Sequence, residues 1–146
     1  MPSKPESRLW YKLRDNTKNE IHWTRIESWT TPGIPDLYGI KEGHGFWVEL
    51  KVHRLKTLKS INLSPHQIGW QIQHIRHGGS VWNLVEHPLS STLNLFWGGN
   101  ADKLGKLEKG EEPLPPDWSS KSPYDWKGLV YRRHSSSIVV YRLILC

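Results

Sequence analysis

Three side chains in the stretch GIPDLYGIKEGHGFWVELKVHR (Gly33 to Arg54) have the types and spacing for a shared reaction: Asp36, Glu49 and Lys51. A phosphodiester resists hydrolysis because its negative charge repels nucleophiles. A divalent cation held by carboxylates neutralises that charge and lowers the pKa of bound water. Asp36 and Glu49 are the candidate ligands. The backbone carbonyl of Leu50 offers a third oxygen, and an all-oxygen set suits a hard cation such as Mg²⁺. Lys51 would orient the attacking water or stabilise the developing negative charge. Glu6, farther back, is a further candidate ligand, directly or through water.

These residues need a scaffold that brings them together, and the sequence predicts a hairpin. Ile34 to Ile40 reads as extended, Lys41 to Gly45 as a turn, and Phe46 to Val52 as extended again. Alternation along the second strand puts Glu49 and Lys51 on one face, with Val48 and Leu50 on the other, toward a core. If the two strands pair, Asp36 comes close to Glu49. Taken singly the parts are ordinary, since an aspartate after proline is often only a turn residue and Glu-x-Lys on a strand is often a solvated face. Their joint occurrence on adjacent strands is far more specific.

The segment before the hairpin predicts a helix from Ser3 to about Thr17, with Ser3 as N-cap and Glu6 completing a capping box. Glu6, Leu9, Trp10 and Leu13 share one face, with Lys4, Arg8, Lys12 and Arg14 on the others. Glu20 to Trp29 reads as a strand, broken by Thr30 to Gly33. After the hairpin, His53 to Lys59 is a basic connector, read as exposed. Leu63 to His77 is the clearest helix: Ser64 caps it, Pro65 takes the first helical position, Gln67 stands at the capping-box position, and Gly78-Gly79 ends it. Ile68, Ile72 and Ile75 are its expected buried stripe. Ser80 to Glu86 and Thr92 to Trp97 read as strands, and Asn100 to Lys109 as a short amphipathic helix. Gly110 to Pro123 reads as a loop, and Gly128 to Arg133 with Ile138 to Leu145 as a terminal hairpin turned at His134 to Ser137. The expected architecture is one α/β domain over residues 1–146, a mixed sheet with helices packed on it. Its core spans about 3–98, followed by a β-rich C-terminal extension over about 99–146.

Composition narrows the classes. The 146 residues are enough for one packed domain. No apolar run reaches about 18 residues, so no transmembrane span and no membrane partner is expected. The N-terminus lacks a secretory apolar region, and the one cysteine, Cys146, excludes an internal disulfide. An intracellular location follows as the expectation. Net charge of +6 suits a polyanion. Most of the nine tryptophans are expected in the core, though tryptophan also stacks on bases. The eight histidines show neither H-x-x-x-H nor H-E-x-x-H, which argues against zinc. No Gly-rich phosphate loop is present, and Ser-His-Asp catalysis has no support.

The runs G-I-P-D-L, W-V-E-L-K and L-S-P-H-Q-I-G-W with its closing H-G-G resemble the PD-(D/E)XK nuclease superfamily. Within it they are most similar to VRR-NUC domains and archaeal-type Holliday junction resolvases, over about Glu6 to Glu86. The resemblance implies a restriction-endonuclease-like αβββαβ core. It implies Mg²⁺-dependent DNA cleavage, with Mn²⁺ able to substitute, commonly by a homodimer. Its catalytic positions fall on Asp36, Glu49 and Lys51, its first-helix glutamate on Glu6, and its post-strand helix glutamine on Gln67. DNA phosphates would be met by Arg54, Lys56, Lys59, Arg76, Arg8 and Lys12. The leading expectation is an endodeoxyribonuclease acting on branched DNA. The alternatives are a homing- or restriction-type endonuclease of the same fold, and a non-catalytic DNA-binding protein on a nuclease scaffold. A structural or interaction domain would leave the carboxylate–lysine grouping unexplained. A compact nuclease of this sort is often phage- or mobile-element-encoded.

Overall fold

A computed structural model describes residues 4–28, 30–130, 132–133 and 139–140. Helix α1 (Pro5–Thr17) is followed by strands β1 (His22–Arg25), β2 (Leu37–Lys41) and β3 (His44–Val52), helix α2 (Pro65–Arg76) and strand β4 (Val81–His87). This is the expected αβββαβ order. Beyond it come β5 (Thr92–Trp97), α3 (Ala101–Gly105), β6 (Trp118–Lys121) and α4 (Trp126–Val130), then the short pair β7 (Arg132–Arg133) and β8 (Val139–Val140). One mixed sheet runs in the order β1-β2-β3-β4-β5-β6. Only β3 and β4 are parallel, so α2 is their crossover; the other neighbours are antiparallel. No helix among the described residues is long and apolar enough to cross a membrane.

The core lies on both faces of the sheet. Leu9, Trp10 and Leu13 of α1 cover Phe46, Val48 and Leu50 of β3 with Leu84, Leu93 and Leu95 behind them. A second cluster, Ile61, Leu63, Val85, Phe96, Ala101 and Leu104, fills the opposite face, where Ile68 of α2 packs. Leu129 and Val130 of α4 join the α1 cluster, so the C-terminal segment packs into the same core.

Several local expectations are corrected. Helix α1 has Lys4 as N-cap with no side-chain bond, and Pro5 at the first helical position carries the start; Ser3 lies outside the described residues. β1 stops at Arg25. The hairpin turn is tighter than expected, because Glu42 (φ 50°) and Gly43 (φ 80°) are both left-handed and form a two-residue loop that pairs Lys41 with His44. In α2 the isoleucine stripe is only half-buried, and Gln71 is the buried residue. The segment Gly110 to Pro123 is not all loop: Trp118–Lys121 pairs with β5 as the sixth strand. Helix Trp126–Val130 takes in the first three residues of the strand expected from Gly128 to Arg133, and only Ala101–Gly105 of Asn100 to Lys109 is α-helical. The β7–β8 pair lies within the expected terminal hairpin, whose turn and last residues fall outside the described ones. Among the described tryptophans only Trp10 and Trp82 are buried; the others are half-buried.

Candidate active site

The site is made by the premature end of β2. Leu37, its first residue, stands opposite Val48, so Asp36, one residue earlier, is brought level with Glu49. The amides of Trp47 and His53 point toward β4, to the carbonyls of Ser80 (2.9 Å) and Glu86 (2.8 Å). Alternation therefore turns Leu50 toward β2, past the point where β2 has ended. Its N–H, left without a strand partner, donates to Asp36 Oδ2 at 2.9 Å. The Leu50 carbonyl faces the same side as its N–H. Asp36 is held from the other edge as well, where its carbonyl accepts from the Ile26 N–H at 2.7 Å.

Glu49 is 3% exposed. Its Oε1 accepts from Gln67 Nε2 at 3.0 Å and lies 4.0 Å from Lys51 Nζ. Its Oε2 is buried with no hydrogen-bond partner. Burial foremost, and next the Asp36 carboxylate, push Glu49 up to about 9, against the pull of Lys51. A buried carboxyl beside a second carboxylate keeps its proton at neutral pH unless a cation replaces it. An orphaned buried oxygen, a facing carboxylate and a nearby backbone carbonyl form an oxygen donor set that fits a hard divalent cation.

Gln67 carries two jobs on one amide. Its Oε1 accepts from the Ser64 N–H at 2.9 Å, its own N–H donates to Ser64 Oγ at 3.2 Å, and its Nε2 is left to hold Glu49. The capping box thus fixes which end of the amide faces the carboxylate. Gly33 sets the distance between the Asp36 loop and this helix. Its φ is +84°, and a Cβ there would lie 2.2 Å from the His66 carbonyl oxygen and 2.8 Å from the Gln67 nitrogen.

The other expected site residues are spread more widely. Glu6 is half-buried in the first turn of α1, the helix covering the Val48 and Leu50 face, whereas Glu49 and Lys51 project from the opposite face. Among the described residues no hydrogen bond or ion pair joins Glu6 to Asp36, Glu49 or Lys51, and no group of three His, Cys, Asp or Glu side chains gathers as a metal cage. Arg54, Lys56 and Lys59 are exposed on the connector leaving β3, directly after Lys51. That connector is pinned from below: His53 Nε2 donates to the Thr57 carbonyl (2.8 Å) and His87 Nε2 to the Leu55 carbonyl (2.6 Å). His53 itself is 6% exposed, a correction to its expected exposure. Arg8 is exposed on α1. Lys12 is ion-paired with Glu86 at 3.0 Å, on the same oxygen that accepts from Tyr124 at 2.8 Å. Arg76 is exposed nine residues along α2 from Gln67, about 14 Å at 1.5 Å per residue.

Sequence reasoning missed the support behind Glu49. Asn83, the β4 residue paired with Glu49, exchanges two hydrogen bonds with Gln71 (2.8 and 2.7 Å), and both are fully buried. The signal was present: Gln67 and Gln71 are one helical turn apart, so one face of α2 presents two amides to the sheet.

No family model and no curated protein matches this chain. Among solved structures, a Holliday junction resolvase, Hjc, from the archaeal hyperthermophile Archaeoglobus fulgidus is similar at 14% identity and a TM-score of 0.49, over 80% of this chain and 88% of that one.

Proposed function

We propose that this chain is a divalent-metal-dependent endodeoxyribonuclease of the PD-(D/E)XK type, acting on branched DNA. The observation that supports it is the buried Glu49, its second oxygen without a partner, facing Asp36 beneath Lys51. A carboxyl buried in this way is costly for folding alone. A bound cation removes that cost, and Mg²⁺ or Mn²⁺ would supply a low-pKa water and neutralise phosphate charge.

Asp36, Glu49 and the Leu50 carbonyl hold the cation. Lys51, with its side chain 18% exposed, reaches the surface beside the pair, where it orients the nucleophile and stabilises charge on the phosphoryl oxygens. The Gln67 side-chain amide fixes the Glu49 carboxylate, and the Leu50 backbone amide fixes Asp36, so both ligands are preorganised. Arg54, Lys56 and Lys59 meet the flanking phosphates from the pinned connector. The preference for branched DNA rests on the sequence resemblance.

The test is a cleavage panel of plasmid, linear duplex, flap and four-way junction DNA with Mg²⁺ and with Mn²⁺. Cleavage that needs the metal, favours the branched substrates and disappears in Lys51→Ala is the expected result. Equal behaviour of wild type and Lys51→Ala on every substrate rules the site out.

A further inference from the structure

A cleft runs along the outer face of α2, with a volume of about 520 Å³. It is lined by Pro32 and by His66, Gly69, Trp70, Gln73 and His74 of the helix, with His77 at its far end. Pro32 also lines a second cleft of about 410 Å³ that reaches Asp36. Pro32 thus borders both clefts, and the Pro32–Gly33 turn is pressed on the first turn of α2.

The lining has a consistent chemistry. It holds rings, an amide and imidazoles, and no carboxylate. Trp70 and His74 are stacked, 4.6 Å apart and 11° from parallel. Trp70 and Trp47 pack edge to face with ring centroids 5.2 Å apart, and the Tyr38 ring centroid lies 4.9 Å from that of Trp47. The stack is thus buttressed from the sheet. His74 is also confined from behind, since even a Cβ on Gly79 would lie 2.1 Å from its ring. Burial, and then His77, hold His74 below its ordinary pKa, so it stacks as a neutral imidazole. At Gly69 a side chain would meet nothing within 4 Å, so this position is an opening in the wall. Aromatic side chains are platforms on which proteins stack unpaired bases without reading sequence.

We infer that the α2 cleft is a docking site for an unpaired nucleobase, on a single-stranded arm leaving the carboxylate pair and stacking on Trp70. The inference rests on the nuclease reading above and adds the kind of DNA the enzyme grips. Duplex DNA, whose bases are already stacked, has no base to offer the cleft.

The experiment measures equilibrium binding of the full chain to labelled duplexes, blunt or bearing a short single-stranded arm, with Ca²⁺ in place of Mg²⁺. A 2-aminopurine in the arm reports stacking. Wild type is expected to bind the armed duplex at least about fivefold tighter than the blunt one, with quenching of the 2-aminopurine. Gly69→Glu, which projects a carboxylate into the opening, is expected to abolish both effects. Gly69→Ala, a small side chain in open space, keeps them. Loss of the preference in wild type, or its survival in Gly69→Glu, overturns the inference. Mg²⁺-dependent cleavage without an arm preference defeats the cleft alone. An arm preference that depends on Gly69, without cleavage under any divalent metal, defeats the nuclease reading alone.

Discussion

Gln67 Nε2 donates to Glu49 Oε1 at 3.0 Å while the other end of the same amide accepts from the Ser64 N–H at 2.9 Å. The helix cap and the site are therefore one hydrogen-bonded unit. Ser64→Ala should cost about 1 kcal/mol, the usual worth of a cap, and leave cleavage within a few-fold. Gln67→Ala should cost more and lower the cleavage rate, because Glu49 loses its fixed donor. Urea denaturation beside single-turnover cleavage separates the two variants; equal losses in both would mean that the Glu49 bond contributes nothing.

Glu49 gives the protein an unusual pH dependence. Its folded pKa, about 9, lies above its ordinary value of 4.5. The folded state therefore holds the proton more tightly than the unfolded chain, and the associated stability is complete below pH 4.5. It drains away as pH rises and is gone above about pH 9. In EDTA, Glu49→Gln, which carries no such proton, should be more stable than wild type at neutral and alkaline pH, on the order of a few kcal/mol by pH 9. The difference should vanish near pH 4. Thermal melts across this range are the check, and parallel curves for the two proteins would contradict it.

Divalent metal should act on the same linkage. Mg²⁺ or Mn²⁺ should raise the melting temperature of wild type at neutral pH with release of protons, and should do neither for a Glu49→Gln, Asp36→Asn double variant. Calorimetry in buffers of different ionisation enthalpy counts the protons.

Lys51→Ala should retain the fold and the metal-dependent shift in melting temperature, since Lys51 Nζ lies 4.0 Å from Glu49 at the partly exposed edge of the site. Its cleavage rate should fall by about 10²-fold or more. A fall of that size together with loss of the metal effect would instead mark Lys51 as a support for the carboxylates.

Gly33 and Gly43 form a natural control pair, with φ values of +84° and +80°. Alanine at either meets the strain of a left-handed backbone, about 1 kcal/mol. At Gly43 a Cβ meets open space, whereas at Gly33 it meets the His66 carbonyl oxygen at 2.2 Å. Gly33→Ala should therefore cost at least about 1 kcal/mol more than Gly43→Ala and should slow cleavage, because Asp36 rides on that turn. Equal midpoints in urea would show that the turn is free to move off α2.

The sequence by itself determined what short-range physics controls. The alternation in Phe46 to Val52 placed Glu49 and Lys51 on one face, the Ser64-Pro65-x-Gln67 start fixed α2, and the Leu9-Trp10-Leu13 stripe fixed the buried face of α1. These depend on neighbours within a turn or two of chain. β6 was hidden because Trp-Ser-Ser-Lys has little strand character of its own and exists by pairing with β5. The buried Gln71 was hidden because its partner, Asn83, lies on a strand the helix reaches only after crossing over. The meeting of Asp36 with Glu49 was suggested by the hairpin, but its geometry was decided by register: a two-residue turn at Glu42-Gly43 sets Leu37 against Val48, so the β2 pairing stops two residues short of Leu50. Only the tertiary structure could strip the partner from Glu49 Oε2 and set Glu6 on the helix covering the other face, because burial and facing are properties of what surrounds a residue in space.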